Sequence, residues 1–294
     1  MGVGYWAGRV RFFSPEATAY LTKFVFYFAL SAMLFRFAAN LSLADIWDGR
    51  FVAAYLWGCG VVYGIAMGVA FLRGVSIEEA AIEAQCAVIG NTGFLGVPML
   101  VVLLGPQAAG PVLMVLAVDL IVFSSLITLI ITGRREGRMS LGIFRILGLG
   151  LLRNPMIVSM SLGFVWSSTG FAVPAPINDF LGLLGAAATP GALFAIGASL
   201  ATKSAERMAV AGWLSFCKLV LHPGAVAFAA LVLFKVQPGP AGVMIAAAAL
   251  PVAGNVYILA QHFGVAPQRV SASILISTAV SILTVTAVIA LVTR

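Results

Sequence analysis

Two asparagines in a chain almost devoid of charge are the first residues whose surroundings could do chemistry. Asn91 lies in "IGNTGFLGVPML" (residues 89–100) and Asn255 in "LPVAGNVYILAQHFG" (residues 250–264), 164 positions later. Each follows a glycine, Gly90 or Gly254, and each has a proline nearby, Pro98 or Pro251. Glycine and proline are poor residues for a helix interior, and a buried amide needs hydrogen-bond partners. A helix that stops inside an apolar region presents backbone N–H groups carrying partial positive charge, which suits an anion. Thr92 and Gln261 add neutral donors and acceptors beside the two breaks. The expected chemistry is therefore recognition of a small carboxylate by Gly90, Asn91, Thr92, Pro98, Pro251, Gly254, Asn255 and Gln261. No permanently buried arginine is needed for it.

Few titratable groups fall inside apolar runs. Asp119 lies about eight residues into the run Pro111–Thr132. A carboxyl group near a bilayer centre costs at least about 2.5–3.5 kcal/mol, so it is a functional candidate, here for carrying a coupling proton. The alternative is a carboxylate paired with a cation on another helix. Lys218 and His222 are four apart on one helical face and are the candidate charge partners, for Asp119 or for the anion. Glu78, Glu79 and Glu83 open the run that contains Asn91, where acidic groups suit a helix N-terminus and a solvated role is expected, with a reach into the cytoplasmic vestibule as the alternative for Glu83. Arg36 is expected to snorkel from its helix end. His262 falls near the end of the run that contains Asn255, and Cys59, Cys86 and Cys217 read as small packing residues without metal-ligand spacing. No metal, cofactor, phosphate loop or nucleophile elbow is expected, and so no enzyme.

These residues must be positioned by membrane helices. Of 294 residues 62% are hydrophobic and only 9% charged, and mean hydropathy is +1.08. A soluble domain has about a quarter of its residues charged, so a water-facing surface is excluded. Membrane β-barrels alternate apolar and polar residues, whereas these runs are continuous and about 20 residues long, the length of a spanning helix. The expected spans are Ala17–Ala38, Phe51–Leu72, Glu79–Leu104 (broken), Pro111–Thr132, Leu141–Val165, Ile177–Ala201, Arg207–Phe234, Ala241–Gly264 (broken) and Pro267–Val292. "MGVGYWAG" reads as the closing turns of a further helix whose beginning is absent. It has no apolar core of a cleavable signal peptide.

The net charge of +7 is explained by loop asymmetry rather than by nucleic acid. Arg9, Arg11, Arg73, Arg134, Arg135, Arg138, Arg145, Lys203, Arg207 and Arg269 fall on one side, which is expected to be cytoplasmic. Arg50 and Lys235 fall on the other, with Asp45, Asp48 and Asp179, and the C-terminus is expected outside.

The two Gly-Asn breaks are matched by "SAMLF" (31–35) and "PGALF" (190–194), 159 apart. The chain therefore reads as two halves, 1–140 and 141–294, joined near "GRREGRMS". Five helices per half make the second half inverted, an architecture of secondary transporters.

At this point the chain resembles the auxin efflux carrier family, within the bile/arsenite/riboflavin transporter group. "GYWAGRVRFFSPEA" resembles the family's first loop, "RNPMIVSMSLGFV" its sixth helix and "LGAAATPGALFAIGASLA" its seventh. "KLVLHP" resembles the eighth helix, "LPVAGNVYILAQHFG" the ninth and "STAVSILTV" the tenth. Where the family's second helix has Leu-Pro, this chain has Leu30-Ser31. The resemblance implies ten helices in two inverted repeats, the fourth and ninth crossing at their breaks. It also implies a scaffold (helices 1, 2, 6, 7), through which homodimers would pack, and a mobile part (3–5, 8–10) that moves like an elevator. It further implies small organic anions as substrates, such as malonate or malate in bacterial members. The expected protein is a multi-pass transporter of the bacterial inner membrane, with lipid and a carboxylate as its partners. A sodium-coupled bile-acid-type symporter and a non-transporting membrane sensor are the alternatives.

Overall fold

The computed structural model describes residues 2–41, 47–136, 142–201 and 208–293, with a few helical side chains, Gln261 among them, left undescribed. Asp45, Arg138, Lys203 and Arg207 lie outside the described residues. The described chain is helical almost throughout. We number the helices α1 (Gly2–Arg9), α2 (Pro15–Ala39), α3 (Gly49–Leu72), α4 (Ile77–Val88), α5 (Thr92–Leu104), α6 (Pro106–Arg135) and α7 (Gly142–Arg153). There follow α8 (Pro155–Ser168), α9 (Ala175–Ser199), α10 (Met208–Leu233), α11 (Pro238–Ala248), α12 (Gly254–Phe263) and α13 (Pro267–Val292). Helices α2, α3, α6, α9, α10 and α13 are long and apolar enough to cross a membrane. Side chains such as Leu183, Leu283 and Phe171 stay exposed, as residues facing hydrocarbon do.

The span expected at Leu141–Val165 is divided into α7 and α8. Asn154 accepts a hydrogen bond from Met156 N (3.0 Å) and Pro155 takes the first helical position, so the pair restarts the helix. Other starts are capped in the same way. Ser14 accepts from Ala17 N (3.1 Å), Asp48 from Arg50 N (2.8 Å), and Ser76 from Glu79 N (3.2 Å).

The chain divides into two compact units that interleave in sequence, residues 1–47, 93–113 and 148–203 in one and 48–92, 114–147 and 204–294 in the other. In the first unit, small residues let helices approach closely, as membrane helices require. Gly4 and Gly8 of α1 face the Phe194 and Ala198 carbonyls of α9, and Gly185 of α9 faces Met33 of α2. A Cβ on Gly163 of α8 would lie 2.6 Å from Phe35 O and 2.7 Å from Ala38 Cβ of α2. Gly163→Val is therefore expected to cost about 1–3 kcal/mol through overpacking, read as a lower unfolding temperature in detergent. Arg36 does not simply snorkel, since its Nε donates to Asn178 Oδ1 at 3.2 Å.

In the second unit α3 packs on α4 and α10, with Gly58 against Val226. Helix α10 also packs on α13, and α11 lies against both of them. This unit holds the second break, the first break as far as Thr92, and all the candidate groups on α3, α6 and α10.

Candidate functional site

Four helices place polar groups through local π-turns, in which one extra residue is accommodated by i→i+5 bonding; α5 opens on one at Thr92–Gly96. Such bulges often mark functional positions. Asp119–Phe123 forms one in α6, where the Asp119 carbonyl accepts from Ser124 N and also from Ser124 Oγ (3.2 Å). Cys217–Leu221 forms another in α10, directly before His222 and Pro223, whose ring cannot supply the next N–H. In α2 the turn Val25–Ala29 precedes Ser31, whose hydroxyl donates to Phe26 O (3.3 Å). The helix irregularity expected of a Leu-Pro pair is thus present with Ser31 in the proline's place.

The breaks are paired with each other. Gly90 and Val252 form an antiparallel bridge, with Asn91 N donating to Pro251 O (2.8 Å) and Ala253 N donating to Ile89 O (3.0 Å). Val252 N donates to Ser277 Oγ of α13 (3.1 Å), and Thr92 N to Gly90 O (2.7 Å). Backbone groups inside an apolar interior must be satisfied within the protein, and each break satisfies the other. One expectation changes in consequence. The N–H groups of Asn91, Thr92, Val252 and Ala253 are consumed in holding the crossing, so they do not point free into a site. What remains is the start of α12 at Gly254 and Asn255, together with side chains. Asn91 is 5% exposed, and the Asn255 Oδ1 is buried without a partner.

Around this crossing runs a buried polar cluster. Asp119, 2% exposed, accepts from Tyr55 Oη of α3 (2.9 Å) on one oxygen and from Thr92 Oγ1 (3.3 Å) on the other. The Thr92 hydroxyl also approaches Gly90 O (3.4 Å), and its single proton serves one acceptor at a time. Lys218 and His222 are fully buried. Lys218 Nζ donates to Ala248 O (2.5 Å), at the C-terminus of α11 where a cation is favoured, and lies 3.0 Å from His222 Nδ1. An ammonium has no acceptor, so Nδ1 accepts and the His222 proton sits on Nε2, directed at Cys59 Sγ (3.0 Å). This tautomer is assigned from the network. The nearby Ala248 O (3.2 Å from Nδ1) is then a packing contact for the imidazole. Asp119 and Lys218 interact electrostatically, yet no salt bridge joins them among the described residues.

The structure thus brings together Gly90, Asn91, Thr92, Pro251, Asp119, Lys218 and His222 within one unit. Pro98, buried at the start of the regular turns of α5, belongs to the other unit. Gln261 lies in α12, its side chain outside the described residues. Tyr55 and Ser277 went unnoticed in the sequence because hydroxyls are common on apolar helices and no spacing ties them to a break. Glu83 is not solvated as expected. It is fully buried and ion-paired to both Arg73 and Arg269, while Glu79 also accepts from Arg269 (3.2 Å). Arg135 reaches Glu78 (3.2 Å) and the Phe263 carbonyl (2.6 Å). His262 is exposed, and its ring meets Phe263 edge-on. All three cysteines are buried and free.

Comparison with known proteins gives the family of the chain. Over 297 aligned residues, the chain is 28% identical to a protein of Rhizobium meliloti (strain 1021) named "Putative malonate transporter". The alignment covers 99% of this chain and 92% of that one. The family model described as "Membrane transport protein" matches residues 1–289. An apolar chain of helices, two of whose breaks are stitched together around buried polar groups, therefore belongs to the membrane transport protein family, that of the auxin efflux carriers, and is a transporter rather than an enzyme.

Proposed function

We propose that the chain is a secondary transporter of a small organic anion, a carboxylate of malonate's size, which it carries by alternating access around the paired breaks. The observation that carries this reading is the antiparallel pairing of Gly90 with Val252, which holds Asn91 and Asn255, its Oδ1 buried without a partner, next to the buried polar cluster. A neutral amide offers two donors and an acceptor, and either face can meet a carboxylate or its acid form. The start of α12 adds N–H groups with partial positive charge. The name of the Rhizobium relative supports malonate as the first substrate to try.

The two breaks belong to two inverted halves, 1–140 and 141–294, and the motion is elevator-like. In its favour, α1, α2, α8 and α9 fall in one compact unit, which also takes in α5 from Gly93 on, while α3, α4, most of α6 and α10–α13 fall in the other, with the boundary at Thr92–Gly93 inside the first break. The first unit is the scaffold, through which two copies pack in a bacterial inner membrane with the C-terminus outside. Asp119 carries the coupling proton, so uptake draws on a gradient and not on nucleotide hydrolysis.

Purified protein tests the site directly. Asn91→Ala and Asn255→Ala are each expected to weaken malonate binding about tenfold, the loss of one buried hydrogen-bonding group to a charged ligand. Unfolding temperatures should stay within a few degrees of the parent. Normal malonate binding by both variants places the site elsewhere.

A further inference from the structure

Lys218 is the one cation that touches the crossing itself, among the described residues. Its ammonium carries three N–H donors, and two acceptors lie in reach, Ala248 O and His222 Nδ1. Both come from the side of α10 and the end of α11. The ammonium also packs close to Gly90, where an added Cβ would sit 3.3 Å from Lys218 Cε, from Lys218 Nζ and from Ala247 O. Gly90 has an ordinary backbone conformation and needs no positive φ, so its missing side chain is not a turn requirement. A side chain there would crowd the ammonium at the residue that pairs the two breaks.

The charge has no full counter-ion at contact distance. Asp119 is engaged by Tyr55 and Thr92, and no described carboxylate forms a salt bridge with Lys218. A lysine that is fully buried with one N–H unused is costly unless a charge of opposite sign joins it. A transported anion is such a charge, and it is present only when the site is filled.

We propose that Lys218 is the residue that selects for charge: its third N–H takes one oxygen of the transported anion at Gly90, so that a dianion is preferred over a monoanion of the same shape. This rests on the reading that the substrate site lies at the paired breaks. It adds that the recognition is ionic as well as amide-based, and that Gly90 is glycine to keep the ammonium accessible.

Malonate and malonamate (its monoamide) have nearly the same shape and differ by one charge, so the ratio of their affinities reports charge selection and is insensitive to a general loss of folded protein. With purified protein in detergent, measured by calorimetry, the parent is expected to favour malonate. Lys218→Met should lower that preference about tenfold, the scale of losing one partner of a buried charge pair. Lys218→Arg should keep part of it. Gly90→Ala leaves the lysine in place but crowds Nζ, and should also erode the preference, which covers the case in which Lys218→Met does not fold. An unchanged malonate-to-malonamate ratio in the folded variants overturns the proposal. If Asn91→Ala still weakens binding while that ratio is unchanged, only the role of Lys218 falls. If the parent binds neither ligand, the site at the breaks falls and the role of Lys218 falls with it.

Discussion

Asp119→Asn is expected to uncouple malonate movement from the proton gradient while leaving exchange intact. In proteoliposomes, a pH difference should drive malonate accumulation by the parent. The variant should lose at least about tenfold of that driven component, within the 5–150-fold range that a coupling of 1–3 kcal/mol produces. Malonate counterflow at equal pH on both sides should persist, because asparagine can keep a hydrogen bond with Tyr55 and with Thr92. The groups facing Asp119 are Tyr55 Oη (2.9 Å), Thr92 Oγ1 (3.3 Å) and, through space, Lys218 and the Cys59 thiol. None of them replaces a titrating carboxyl at that position. A purely structural Asp119 predicts a different pattern, in which driven uptake and counterflow fall together. Retained pH-driven accumulation in the variant rules out the proton-carrying role.

Glu83→Gln is expected to have the largest effect on stability. The carboxylate is fully buried and holds Arg73 and Arg269 at once, the latter only 8% exposed in its side chain. Removing one partner of a buried ion pair costs about 3–5 kcal/mol, because a desolvated charge is left behind. The lower end applies here, since Arg73 is 30% exposed and Glu79 still offers Arg269 an oxygen. A drop in unfolding temperature of roughly 10 °C is the expected scale for a chain of this size. The double variant Glu83→Met, Arg269→Met should recover part of it, because the desolvated Arg269 charge goes with its partner and the charges left over, Arg73 and Glu79, are partly exposed to solvent. Equal unfolding temperatures for parent and Glu83→Gln show that the cluster adds nothing to stability.

This cluster shows where sequence reading stops. Glu78, Glu79 and Glu83 open α4, and a helix start beside basic loops looks solvated when only chain order is known. Burial of Glu83 depends on Arg73 at the end of α3 and Arg269 at the start of α13, and their arrival at one carboxylate is a matter of packing. The same holds for Asp119. Its position in an apolar run marked it as unusual, but its hydroxyl partners come from α3 and from the break, 64 and 27 residues away.

Membrane residence, most of the spans and both breaks are written in the sequence itself, because hydrocarbon enforces long apolar runs and makes every glycine, proline or amide within them conspicuous. Asn91 and Asn255 were legible for that reason, and so was the start of α13 at Pro267. The division of α7 from α8 was less legible, since Asn154-Pro155 is a short signal inside a continuous apolar stretch. Only the tertiary structure decided which backbone groups the breaks would spend. The N–H groups that chain order suggested would bind an anion are used to join Ile89–Asn91 to Pro251–Ala253. The free donor is instead on Lys218, and its neighbour across the crossing is Gly90. Sequence spacing fixes what lies on one helix, through the 3.6-residue period. It cannot say which carbonyl of a distant helix an ammonium will meet, because that depends on how close two backbones can come.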